Sequence, residues 1–229
     1  LAARDWIDLR SYQEDMRFIL DTYVTAQDST VISKLDDTPL VELLLDNAST
    51  TPVDQILDGV TGDDNAKAEI INANLISEIV RKMPMNQSYY GKMSELLKRL
   101  IGERRLGALS YAEYLRQVTE LARRIHSPEE TEKYPDQIRD SQAKRALYDF
   151  AQEQRDFEGL DIEDVALQVH LAIVDSVEVG WLANRAKQQR IKNAIAQTLE
   201  DYELSEPRID QLVEEIYELA TRQEDYFDD

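Results

Sequence analysis

Cysteine is absent from the 229 residues, which excludes disulfide scaffolds, thiolate zinc sites and thiol nucleophiles together. The absence fits a reducing compartment. Glycine (7) and proline (6) are scarce in a chain that is 42% hydrophobic, a composition that points away from a loop-rich β protein. No run approaches the roughly 18 apolar residues that a membrane span needs, so no membrane partner is expected. The first residues carry neither the basic n-region nor the apolar h-region of a signal peptide. The chain begins at Leu1, and Trp6 already sits inside an amphipathic pattern, so a piece of a larger protein is expected. Positive charge is also in deficit: 26 basic against 46 acidic residues give a net −20, which on average speaks against a general binder of nucleic acid or anionic membrane.

Helical periodicity is present nearly everywhere. Trp6, Leu9, Met16, Leu20 and Tyr23 form one apolar stripe on a helix ending near Ala26, and Thr38-Pro39 reads as a cap opening LVELLLDN. Asp63 or Asp64 caps a long helix that must stop before Pro84. Asn86 caps the next helix, for which Gly107 is the stop. Ser110 and Glu113 have the spacing of a capping box opening a further helix that ends near Ser127-Pro128. So short a turn between two helices predicts an antiparallel hairpin. The polar stretch 127–140 reads as a connector between helical subdomains 1–126 and 141–229. Beyond it, helices are expected near 141–153, 162–176, 182–202 and 206–225, with caps at Ser141, Asp161 and Ser205 and a frayed acidic end. The fold class predicted is all-α, with helical hairpins packed as an irregular bundle.

Sequence signals for catalysis are missing. Gly102–Gly107 has phosphate-loop spacing, but Ala108-Leu109 stands where Lys-Ser/Thr is required. No Asp-x-Lys or Glu-x-Lys follows Pro135-Asp136, so a nuclease half-motif is left alone. His126 and His170 have no acidic or histidine partner at ligand spacing, and no Glu-x-x-His of a di-metal bundle occurs. No glycine-flanked serine elbow is present. No catalytic residue, metal site or cofactor is therefore assigned to this chain.

Charge is distributed unevenly. Residues 1–80 carry −11, residues 81–124 carry +6 and residues 125–229 carry −15. The positive block coincides with the hairpin, where Lys92, Lys98, Arg99, Arg104, Arg105, Arg116, Arg123 and Arg124 are candidates for contact with duplex DNA or an acidic partner. Arg185, Lys187, Arg190 and Lys192 form a second island, with no acid between Glu178 and Glu200. The competing role for all twelve is neutralisation by the surrounding acidic helices.

Four ordered strings carry a family resemblance: SYQEDMRFILDTYV, YYGKMSELLKRLIGERRLGALSYAEYL, YPDQIRDSQAKRALYDF and GWLANRAKQQRIKNAI. In this order and spacing the chain resembles the C-terminal helical region of the R (motor and endonuclease) subunit of type I restriction enzymes. Arg145, Tyr148 and Asp149 of RALYD, with Trp181 and Asn184, are the marker residues, while Ala183 and Phe150 depart from the pattern. The resemblance implies a cytoplasmic prokaryotic assembly module of an ATP-dependent, magnesium-using deoxyribonuclease whose nuclease and motor domains lie elsewhere in the parent subunit. The implied partners are the rest of that subunit, the modification and specificity subunits, and duplex DNA beside the motor. A free-standing acidic adaptor that binds protein alone, and an all-α hydrolase with an unrecognised carboxylate site, are the alternatives.

Overall fold

A computed structural model describes residues 64–227 apart from Glu203. The stripe ending near Ala26, the Thr38-Pro39 helix start and the Asp63 cap lie outside the described residues. The chain divides into two compact units, Leu1–Ile76 and Ser77–Asp229. Among the described residues every regular element is helical, and no helix is long and apolar enough to cross a membrane.

Helix α1, Asp64–Lys82, carries the chain from the first unit into the second. Ala68, Ile71 and Leu75 are its buried apolar positions in the first unit, at the three- and four-residue steps of one helical face, and Lys67 and Asn72 are buried beside them. It ends at Lys82, before Met83-Pro84, because the residue preceding proline is driven out of the helical region.

In the second unit α2 (Gln87–Arg105) and α3 (Tyr111–His126) pack as the expected hairpin. Asn86 starts α2 by accepting a hydrogen bond from the Tyr89 amide at 3.0 Å. Gly107 closes it at φ 70°, a left-handed conformation that costs glycine little. The Gly107 and Ala108 amides donate to the Arg104 and Glu103 carbonyls, so two last-turn oxygens are satisfied. Ser110 caps α3 through the Glu113 amide at 3.2 Å. The second half of the capping box is absent: the Glu113 carboxylate is held by Arg116 and Gln117 on the next turn.

Residues 127–140 form two short helices, α4 (Pro128–Thr131) and α5 (Asp136–Arg139), within the second unit. Tyr134 and Ile138 are buried in its core, so apolar anchoring fixes this stretch despite its polar composition. Helix α6 (Gln142–Glu153) follows, then α7 (Ile162–Ser176), α8 (Arg185–Glu200) and α9 (Glu206–Ala220). Helix α6 packs against α2, α5, α7 and α9 and is the hub of the unit.

Two boundaries differ from the periodicity. The predicted 182–202 helix is broken after a 3₁₀ turn, Trp181–Ala183, because Asn184 caps a new start with its side chain on the Ala186 and Lys187 amides. The predicted 206–225 helix stops at Ala220, and the chain makes a further 3₁₀ turn, Glu224–Tyr226, that is pinned to the unit, while the acidic end Asp228-Asp229 lies outside the described residues. Tyr226 is buried, its hydroxyl lies 2.9 Å from His170 Nδ1, and its carbonyl accepts from Trp181 Nε1 at 3.2 Å.

Leu97 lies in the hairpin and Ile138 in the former connector, and both are fully enclosed. Leu97→Ala and Ile138→Ala should each cost about 2–5 kcal/mol in urea unfolding. A negligible cost for Ile138→Ala would return residues 127–140 to the role of linker.

Candidate partner and nucleic-acid interface

The hairpin arginines and lysines project from α2 and α3 because apolar residues occupy the inner faces: Tyr90, Met93, Leu97 and Leu100 on α2, Tyr114, Val118, Leu121 and Ile125 on α3. Most of these cations meet an acid of the same chain. Lys92 reaches Glu153 of α6 at 3.1 Å, and Arg124 reaches Glu132 at 2.7 Å. Lys98 pairs with Glu95 at 3.0 Å, Arg116 with Glu113 at 2.7 Å and Arg123 with Glu120 at 3.3 Å, all one turn apart. Arg99 stands 3.9 Å from Glu103. Arg104 lies over the Tyr111 and Tyr114 rings, 5.7 and 5.1 Å from their centres, and Arg105 is exposed at the end of α2. The Arg116 guanidinium and the Gln117 amide hold the exposed Glu113 carboxyl down at about 2.

The second island is similarly engaged. Lys187 and Arg190 both pair with Glu178, which holds that carboxyl below its usual range. Lys192 pairs with Glu214 and lies 4.6 Å from the Tyr217 ring centre. Arg185, exposed beside the Asn184 cap, has no ionic partner among the described residues. The two basic groups therefore form a surface of shared, mostly exposed ion pairs instead of a bare cationic groove. Such pairs exchange readily, because each is worth little in water.

Of the marker residues, Asp149 and Trp181 are buried, Arg145 and Tyr148 are half-buried, and Asn184 is exposed at the start of α8. Asp149, on α6, is buried and accepts at one oxygen, Oδ2, from Asn86 Nδ2 and from the Tyr134 hydroxyl, both at 2.7 Å. Burial pushes the Asp149 carboxyl up, against the lowering effect of those two donors. Burial and the adjacent Asp149 also push the Tyr134 phenol up, which keeps it a donor. Tyr148 meets the Tyr134 ring edge-on at 6.0 Å. Arg145 donates to the Arg139 carbonyl, and its guanidinium stands 3.8 Å from Glu129. Trp181 is buried, stacked on Phe227 at 5.9 Å and edge-on to Tyr217 at 5.9 Å.

Two participants escaped sequence reasoning. Asn86 was legible as a cap, but its amide's second bond, to a residue 63 positions away, leaves no local signal. Gln223 is buried and donates to the Met85 carbonyl at 2.7 Å, and a glutamine in an acidic tail gives no hint of that. Among the described residues no three His, Asp or Glu side chains are grouped so as to hold a metal ion. Comparison with protein-family models, with curated proteins and with solved structures finds no match to the chain.

Asp149→Ala should cost roughly 1–3 kcal/mol for each buried donor it leaves without a partner. Asp149→Asn, whose Oδ1 still accepts both bonds, should cost less. The folded-state pKa of Asp149 is raised, so the folded chain holds the proton more tightly than the unfolded chain, whose value is about 3.9. Stability of the wild type relative to Asp149→Asn should therefore rise as pH falls from the raised folded value toward about 4, and be lowest above it. Urea melts of both proteins from pH 4 to 8 check this, and a difference independent of pH would contradict it.

Proposed function

We propose that the chain is a non-catalytic helical docking module, the counterpart of the C-terminal helical region of a type I restriction R subunit. In this role it links the DNA-translocating motor to the methyltransferase core of modification and specificity subunits. ATP and magnesium serve the motor and nuclease domains of the parent. One observation supports the reading above the others: three of the four strings that carry the resemblance, the first lying outside the described residues, converge on the joints of a single helical unit. Tyr89 of the second string donates to the Arg124 carbonyl, Asp149 of the third ties α6 to Asn86 at the start of α2, and Trp181 of the fourth is clamped by the C-terminal turn. Residues that set a helical body's shape are what a family of rigid docking modules has in common. The exposed ion pairs then offer a polarised surface for steering a partner.

A second reading, an acidic adaptor that binds protein alone, is favoured by the intramolecular pairing of the basic side chains. A phosphate must displace Glu95, Glu113 or Glu120 before it meets Lys98, Arg116 or Arg123. Affinity for duplex DNA and for the modification-specificity complex, measured at two salt concentrations, separates the two. The docking module binds the complex, and any DNA contact weakens with salt by about 0.9 log units per phosphate neutralised for each tenfold rise. A folded chain that binds neither would overturn the reading. Replacing Lys98, Arg99, Arg104 and Arg105 together with glutamine should keep the helical content and weaken that binding. Unchanged affinity would assign these four residues to structure alone.

A further inference from the structure

A cleft of about 100 Å³ opens in the second unit where the end of α1, the start of α2, the end of α3, α4 and the first turns of α6 meet. Among its lining residues are Lys82, Tyr90, His126, Glu129, Gln142 and Arg145. A water's share of liquid volume is about 30 Å³, so the space suits a group of a few heavy atoms. Three features give the cleft a chemistry.

The first is Tyr90. It is only 7% exposed, yet its hydroxyl makes no hydrogen bond to any described residue, and its one ring contact is the edge of Tyr89. Neighbouring buried tyrosines behave otherwise: Tyr89 donates to the Arg124 carbonyl and Tyr134 to Asp149. The ring is enclosed while the hydroxyl stays open to the cleft, so it is a donor available to a ligand. Burial pushes the Tyr90 phenol up to about 12, which keeps the proton in place at neutral pH.

The second is Arg145, which lines the same cleft as Tyr90. One guanidinium nitrogen is used on the Arg139 carbonyl. Another faces Glu129 at 3.8 Å, too long for a hydrogen bond, so the fork that would grip a carboxylate in two places is not engaged there. The third is the local charge. Among the charged side chains that line the cleft, Lys82 and Arg145 stand against Glu129, which leaves one positive charge to be matched. Lys82 also donates to the Ile125 carbonyl at 3.0 Å, which offsets the negative end of α3 at the cleft wall.

We propose that this cleft is a binding site for a single carboxylate, held by the Arg145 guanidinium and the Tyr90 hydroxyl, with Glu129 as its internal competitor. A monoanion matches the residual charge, whereas a phosphate dianion would face Glu129 with one charge too many. The site is independent of the docking role and of its test. A small organic acid and a free oxyanion share the recognising chemistry, so the probes are acetate and inorganic phosphate.

Each is titrated into the 229-residue chain at constant ionic strength and pH 7, following the Arg145 Nε–H and Tyr90 ring resonances by NMR. Acetate should give saturable shifts at both residues, and phosphate should bind more weakly. Tyr90→Phe removes a hydroxyl with no protein partner, so it should keep the wild-type melting temperature and bind acetate about tenfold more weakly. Glu129→Gln should bind acetate more tightly. An absence of saturable shifts in both the wild type and Glu129→Gln would overturn the proposal, leaving Tyr90 as a phenol that binds only water. Equal affinity in Tyr90→Phe, or tighter binding of phosphate than of acetate, would overturn it too.

Discussion

A single carboxylate oxygen holds the helical unit in register. Asp149 Oδ2 receives the amide of Asn86 and the hydroxyl of Tyr134, and the three residues belong to the start of α2, the stretch between α4 and α5, and the hub helix α6. The dependence is mutual. A buried carboxylate without donors carries a large desolvation cost, and a buried amide or phenol without an acceptor carries its own. None of the three can leave alone, so the hairpin, the former connector and α6 are fixed together. Asn86 also caps α2 through its other side-chain atom, which couples the first turn of the basic hairpin to the position of α6.

A second clasp closes the same unit from its far end. Gln223 donates to the Met85 carbonyl, 138 residues earlier, and Asp225 accepts from Ser141 and from the Ala143 amide at the start of α6. Asp225 thereby supplies a cap that α6 shares with Ser141, whose hydroxyl takes the Lys144 amide. The two clasps sit on either end of one segment: Met85 and Asn86 are adjacent, one held by the C-terminal turn and the other by Asp149. The turn after α1 is thus gripped twice, and the chain's last helix and its hairpin share an attachment. This explains why residues 127–140 do not separate two bodies. The chain crosses them between clasps that already join the hairpin to α6 and to the C-terminal turn.

Legibility in the sequence depends on the range of the interactions. Starts set within one turn, such as Asn86, Ser110, Ser141 and Asp161, are readable because capping couples a side chain to an amide two or three residues away, and the stop at Gly107 is readable because glycine takes the left-handed conformation. The Ser110–Glu113 box was half right: glutamate at that spacing can reach back to the serine amide or forward to Arg116, and the charged partner won. The break at Asn184 was missed because the 3.6-residue pattern runs on through it, with Trp181 buried ahead of Ile191 and Ile195. Periodicity reports that a face is buried and not what buries it. For that reason the candidate cations were located correctly on their helices while their acidic partners were not, and the Tyr90 cleft, built from five separate stretches of chain, left no sequence trace.

The charge pattern also changes meaning once partners are known. A block of +6 in a chain of −20 suggests a patch with a field of its own. In the folded unit that field is shortened by pairs such as Arg116–Glu113 and Arg123–Glu120, whose side chains stay exposed. Exposed pairs contribute little to stability, so they are cheap to rearrange, and each can present either sign to an approaching surface. A partner bearing acids gains the arginine while the displaced glutamate returns to water, and a partner bearing bases gains the glutamate in the same way. In the proposed docking role, specificity then cannot come from the sign of the patch. It has to come from where the pairs stand, and their spacing along α2 and α3 is set by the core face of the hairpin and the two buried clasps that hold it.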